Sequence, residues 1–347
     1  MPNTELDHDA PDMDLELIAD IDPSIIPEEY IGERLDKALA QIVPIYSRAN
    51  IQAFLKDGQI LIDGKITPGK SLVKGGEQIS MHIAPETDQT NWLAEDIPLD
   101  IIYEDEHVIV INKPIGMVVH PAAGNWSGTL VNGLLHHNAA LNHLPRAGIV
   151  HRLDKDTSGL MVVAKTLTAH HSLVKQLQTR QAKRQYCALV YGEVIAGDTI
   201  NAPLGRSPHD RQKIAIVNHG KEAITHYRVR ERFHAFTLVK VILETGRTHQ
   251  IRVHLTSVNH PLVGDQTYGH GLRLPKFVSD ELKAALKDFT HQALHAERLA
   301  FVHPSTERMI RFKAPLPADF QALVDLLQAE NLSTALEEDD DYDYDWN

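Results

Sequence analysis

One cysteine, Cys187, in 347 residues excludes an internal disulfide and suits a reducing compartment. No apolar run approaches the ~20 residues that span a bilayer, and the acidic opening Met1-Pro2-Asn3-Thr4-Glu5 has neither the basic nor the apolar region of a secretory signal. A cytoplasmic protein with no membrane partner is therefore expected. No glycine-rich phosphate loop of the P-loop or dinucleotide type is present, so ATP and NAD are not implied. The 21 histidines carry no zinc signature. Neither His249 with His254 nor His136 with His137 has the spacing of the common sites, no second cysteine exists, and no His-Glu-x-x-His occurs. No metal and no other cofactor is expected.

Lysine and arginine are missing from both ends. Residues 1 to 29 hold ten acids and residues 337 to 347 hold seven, with no Lys or Arg in either stretch. A net charge of −13 argues against a nucleic-acid partner only if it is spread evenly. Removing those seventeen of 47 acids leaves 30 against 34 bases, so residues 30 to 336 carry +4. The body is mildly basic, and the ends, taken as 1–30 and 331–347, have the composition of disordered acidic segments.

With 43% hydrophobic and 23% charged residues the body is globular, and its length suits two or three domains. Residues 31–83 form a first unit. Leu35, Leu39 and Ile42 sit at helical spacing before Pro44; Ser47 is suited to cap a second helix with Ile51, Phe54 and Leu55 on one face. Gln59 to Ile62, the turn pair Asp63-Gly64 and Lys65 to Thr67 read as a β-hairpin. A proline-flanked polar linker, 84–97, leads to a second domain, 98–330, of α+β pattern. Strands are expected at 101–103, 108–111, 148–150, 160–164, 185–191, 214–217, 223–230, 236–243, 293–303 and 308–313, and helices at 129–136, 168–178, 279–289 and 318–328. The spacing predicts a central, mostly antiparallel mixed sheet. There is no internal repeat.

Two stretches concentrate ionisable groups. In 147–165, His151, Arg152, Asp154, Lys155 and Asp156 stand between two apolar β-type runs. A solvated loop would have the same composition, but here the charges abut the strands, so a carboxylate half-buried beside an arginine is expected. In 244–254, Arg247, His249, Arg252 and His254 adjoin another apolar strand and are costly to desolvate unless paired. Asp154 is the natural partner, and Arg252 is preferred to Arg247. Basic residues of the first unit, Arg34, Lys37, Arg48, Lys56, Lys65 and Lys70, are compatible either with a solvated face or with RNA. Two aspartates, Asp154 and Asp156, are too few for a metal-dependent phosphodiester hydrolase.

The first unit resembles the S4 RNA-binding domain in its Gly-Glu-Arg-Leu-Asp-Lys start and its Ser-Arg-x-x-Ile-Gln-x-x-Leu-x-x-Gly-x-Ile-x-Ile-Asp-Gly-Lys body, which implies RNA contacts at Arg34, Arg48, Lys56 and Lys65. His151-Arg152-Leu153-Asp154-Lys155-Asp156-Thr157-Ser158-Gly159-Leu160, Tyr186-Cys187-Ala188-Leu189-Val190 and Gly246-Arg247-Thr248-His249-Gln250-Ile251-Arg252-Val253-His254, in that order, resemble the RluA family of pseudouridine synthases. The resemblance implies that Asp154 is the catalytic carboxylate, Tyr186 packs on the target base, Arg252 pairs with Asp154, and Arg152 fills the gap left in the RNA by a flipped uridine. Arg247 and His249 join the implied RNA-binding set. Asp96 to Ile101, His260 to Asp265 and Gln292 to Ala296 narrow the likeness to enzymes acting on large-subunit ribosomal RNA. The implied substrate is helix 69 of 23S rRNA or the pre-50S particle, and a monomer is expected. The competing reading is a non-catalytic RNA-binding assembly protein, which does not explain an acid placed among the bases of an RNA site.

Overall fold

The computed structural model describes residues 25–43, 48–81, 92–122, 124–210, 213–269, 271–275 and 278–340. The acidic arm to residue 24, Pro44, Ser47, linker residues 84–91, Arg211, Gln212 and residues 341–347 lie outside the described residues, so the expectations placed on them have no counterpart here.

The first unit has two helices, α1 (Leu35–Ile42) and α2 (Arg48–Lys56), and a two-stranded antiparallel sheet, β1 (Ile60–Ile62) with β2 (Ile79–Met81). Leu35, Leu39, Ile51, Leu55 and Ile60 close its core with Ile26 and Val73. The expected hairpin does not form. Asp63 and Gly64 do make a tight turn at positive φ, yet only Ile62 and Lys65 bridge across it. Pro68 lacks a donor for a ladder, and Asp63 instead accepts from the Gln78 N–H, which sets β2 beside β1. Asp36 is buried and accepts from Arg34 (Nε, 3.2 Å; NH2, 2.8 Å), Arg48 (2.9 Å) and Gln52 (2.6 Å). Hydrogen bonding from Arg34, working against burial, holds its carboxyl well below the ordinary range. Two of the arginines expected to face RNA are thus oriented by one carboxylate, while Lys56 and Lys65 stand exposed.

The second domain is built on a nine-stranded mixed sheet. Its strands are β3 (Ile101–Glu104), β4 (Val108–Lys113), β5 (Ser158–Ala164), β6 (Lys183–Tyr191), β7 (Asp198–Asn201), then β10 (Ile224–Phe233), β11 (Phe236–Leu243), β12 (Leu294–Val302) and β13 (Met309–Lys313). A separate ribbon pairs β8 (Leu204–Arg206) with β9 (Ile214–Ile216). The sheet runs β3-β4-β5-β12-β6-β11-β10-β7, with β13 on β12, and among the described residues only the β5–β12 pairing is parallel. The helices are α3 (Leu130–His137), α4 (Leu167–Gln178), α5 (Gln250–Ser257), α6 (Asp280–Asp288) and α7 (Ala318–Asp340).

Alternation explains the continuous apolar runs of β4 and β5. Ile109, Ile111, Met161 and Val163 pack with Leu130 and Leu134 of α3, whereas Val108, Val110, Val162 and Ala164 pack with Ala169, Leu173 and Val174 of α4. Both faces are covered, so neither strand shows a polar alternation. Phe320, Leu323, Val324 and Leu327 of α7 seat on Phe233, Phe236 and Phe289. This helix runs past Gln328, where the apolar spacing stops, into the stretch from 331 expected as a tail.

Residues 148–150 are not a strand. Arg146, Ala147 and Gly148 all take positive φ in a 3-10 turn, and only Ile149 bridges to Val163. Gly148 approaches so closely that a Cβ would lie 2.0 Å from the Ala164 carbonyl oxygen. Conversely, Ser158 and Gly159, of turn composition, belong to β5; a Cβ on Gly159 would meet the Ala296 backbone at 2.4 Å, and the parallel pairing with β12 needs that space. Among the described residues no helix is long and apolar enough to cross a membrane.

Candidate active site

The turn 151–157 enters β5 at the middle of the sheet, and its shape is fixed from below by a lysine. Lys113, 1% exposed at the end of β4, donates its ammonium protons to the carbonyls of Pro114, Met117 and Lys155, each at 2.9 Å. A cation buried this deeply needs such partners. The Gly116 N–H reaches the same Lys155 carbonyl, and the Thr157 N–H closes a turn onto the Asp154 carbonyl. The backbone on both sides of Asp154 is therefore held.

Arg252, on α5 and 2% exposed, faces that turn. Its Nε and NH2 donate to the two oxygens of Asp265 at 2.8 and 3.0 Å, and NH1 donates to Oδ2 of Asp154 at 3.2 Å. The Tyr268 ring lies 5.0 Å beneath the guanidinium. Burial works against the Arg252 charge, but hydrogen bonding to Asp265 and the charges of Asp154 and Asp265 hold it above its ordinary value. Burial likewise works against ionised Asp265, and Arg252 with the Thr267 and Tyr268 N–H groups keeps its carboxyl low. Asp265 thus neutralises Arg252 bidentately. Asp154 makes a single bond to it and stays 12% exposed on its side chain.

Asp154 shares a cavity of about 40 Å³ with Arg152, Arg184, Tyr186, Arg247 and His249. Tyr186 sits on β6, between β12 and β11, and burial pushes its phenol up. The loop before α5 is shaped by buried Gln250, which accepts from Thr245 Oγ1 (2.8 Å) and the Arg247 N–H (3.0 Å) and donates to Ile224 O and Thr225 Oγ1. His249 takes a left-handed φ of 52° there and meets the Tyr268 hydroxyl at 2.8 Å. The structure brings together Arg152, Asp154, Tyr186, Arg247, His249 and Arg252; Arg34, Arg48, Lys56 and Lys65 belong to the first unit.

Three residues of this arrangement escape sequence reasoning. Asp265 follows the apolar run Pro261-Leu262-Val263, and a lone carboxylate there is a signal that a buried cation is near. Lys113 ends a strand and reads as a solvated residue. Arg184 alternates with Tyr186 and therefore faces the same side of β6.

His151 is a structural member rather than an acid or base. It is 3% exposed and accepts the Val162 N–H on Nε2 at 3.1 Å. Burial pushes it down to about 3, burial does the same to His120, and His170 falls to about 4. The unfolded chain takes up these protons near pH 6.5 and the folded chain does not, so stability falls as pH drops from 6.5 toward 4, by up to about 1.4 kcal/mol per pH unit for each group. His151→Gln, whose amide oxygen can accept the same N–H, is expected to flatten the pH dependence of urea midpoints between pH 7 and 5. An unchanged slope would contradict this assignment.

No group of three or more His, Cys, Asp or Glu side chains among the described residues is arranged to hold a metal. Comparison with known proteins then gives a consistent picture. Residues 107–257 match the family model described as RNA pseudouridylate synthase, and residues 33–79 match the S4 domain. Proteins named ribosomal large subunit pseudouridine synthase D are similar along most of their length. The one from Pseudomonas aeruginosa is 50% identical over 88% of this chain and 95% of its own. That from Xanthomonas campestris pv. campestris is 48% identical over 90% and 94%, and that from Neisseria meningitidis serogroup A is 45% identical over 100% and 96%. Among solved structures, human RNA pseudouridylate synthase domain containing 4 superposes with a TM-score of 0.50 at 26% identity, covering 66% of this chain and 92% of that one.

Proposed function

The chain belongs to the RNA pseudouridylate synthase family and carries an S4 domain, and from that premise we propose that it isomerises uridines of helix 69 in 23S ribosomal RNA, with Asp154 as the catalytic carboxylate. The observation that carries the reading is the division of labour at Arg252. Asp265 already balances its charge, so Asp154 is not needed as a counter-ion, and a carboxylate in an otherwise cationic pocket repels phosphate unless it does chemistry.

Each side chain has a physical task. The glycosidic bond of a stacked uridine is hidden, so the nucleotide must be extruded at a cost of a few kcal/mol. Arg152 enters the vacated space, and Tyr186 replaces the lost stacking neighbour, worth roughly 1–3 kcal/mol. Asp154, positioned by Arg252 and by the Lys113-held turn, then acts on the flipped nucleotide as nucleophile or as base. The N1–C1′ bond breaks, the uracil turns, C5 joins C1′ and gives up its proton, and N1 takes one up, so the product is an isomer with no redox change. Arg247 and His249 line the same cavity. Arg34, Arg48, Lys56 and Lys65 hold the RNA backbone without reading its sequence. The protein acts in the cytoplasm, as a monomer, on large-subunit rRNA or the pre-50S particle.

Purified protein incubated with a helix 69 hairpin is expected to produce pseudouridine, read as carbodiimide-dependent primer-extension stops. An unmodified hairpin, with other 23S fragments modified, would sink the helix 69 assignment.

A further inference from the structure

We infer that Arg184 forms a phosphate subsite inside the active-site cavity, binding the phosphodiester that adjoins the target uridine; this rests on the RNA-modifying reading above. Arg184 lies on β6, two residues before Tyr186 and on the same face. It is 8% exposed, and its buried Nε has no hydrogen-bond partner. It forms the wall between the Asp154 cavity and a neighbouring cavity of about 350 Å³, lining both.

Buried guanidinium groups are normally paired, because an uncompensated charge in a low dielectric is costly. The carboxylates around Arg184 are committed elsewhere. Asp154 bonds Arg252. Glu222 accepts from Arg180 at 3.0 Å, and Glu244 accepts from Arg180 and, at 2.8 Å, pairs with His226. The loop lies flat against the guanidinium at Gly246, where a Cβ would come 2.5 Å from NH1. A cation held at an opening, with no anion supplied by the described residues, fits an anion brought by the ligand. A polynucleotide that threads one nucleotide past Asp154 and Tyr186 brings a phosphodiester on each side of it.

The test uses the full chain, a helix 69 hairpin, and hairpins carrying a neutral methylphosphonate at single positions flanking the target. Arg184→Met is expected to fold with a melting temperature at or above wild type, since an unpaired buried charge is removed. Its RNA affinity at low salt falls about ten- to a hundredfold, and the slope of log K against log salt drops by roughly 0.7 to 0.9, one phosphate contact. Arg184→Lys keeps the slope. One methylphosphonate position weakens wild type by a similar factor and leaves Arg184→Met unaffected. Losses that multiply, an unchanged slope, or an Arg184→Met protein that melts well below wild type would overturn the subsite. Binding is read without turnover, so failure of wild type to make pseudouridine strikes the parent reading alone.

Discussion

Asp154→Asn is expected to lower pseudouridine formation by at least about a thousandfold while leaving RNA binding within about threefold of wild type and stability within about 1 kcal/mol. The amide is isosteric and can keep an oxygen toward Arg252 NH1, so the turn held by Lys113 and by the Thr157 N–H is undisturbed. What it loses is the charge and the lone pair that a nucleophile or base requires. Single-turnover kinetics on a hairpin, with affinity measured by filter binding, separate the two effects. Residual turnover within tenfold of wild type would refute the catalytic assignment.

Asp265→Asn is expected to do the opposite and strike the fold first. Asp265 is 3% exposed, takes both Nε and NH2 of Arg252, and accepts the N–H groups of Thr267 and Tyr268. An amide accepts on one atom only, so Arg252 keeps at most one hydrogen bond to residue 265 beside its single 3.2 Å bond to Asp154, and its buried charge loses its bidentate counter-ion. Breaking one side of such a pair costs about 3–5 kcal/mol, which for a domain of this size lowers the melting temperature by roughly 10 °C. Activity falls as well, because Asp154 becomes the sole counter-ion of Arg252 and is drawn from the substrate. A variant that melts within 2 °C of wild type would show that Asp265 is dispensable.

The two carboxylates sit on one arginine and differ in what surrounds them, and this decides how much of the site is legible in the chain. Asp154 stands in a dense charged cluster between apolar runs, but Asp156 shares that cluster, and only the family resemblance singles Asp154 out. Asp265 stands alone after the apolar run Pro261-Leu262-Val263, and Arg184 belongs to the basic segment Arg180, Lys183, Arg184 that reads as the end of a helix, so neither is marked as part of the site. The mostly antiparallel sheet follows from its β-branched runs, and the double-sided burial of β4 and β5 is what makes those runs continuous. Local turn chemistry misleads twice: Asp63-Gly64 makes its turn, but Pro68 and the Gln78 contact send β1 to a distant partner, and Ser158-Gly159 looks like a turn while serving a close parallel pairing with β12. Lys113 ends a strand like any exposed lysine, and only the three carbonyls gathered around it reveal its role.

The central claim is that this chain makes pseudouridine in large-subunit rRNA through Asp154. The most direct measurement maps pseudouridine across that rRNA in cells lacking the gene and in the same cells resupplied with wild type or with Asp154→Asn. One or more sites in helix 69 are expected to vanish, to return with wild type, and to stay absent with Asp154→Asn. Loss of no site, or restoration by Asp154→Asn, would contradict the account and favour a binding protein without catalysis.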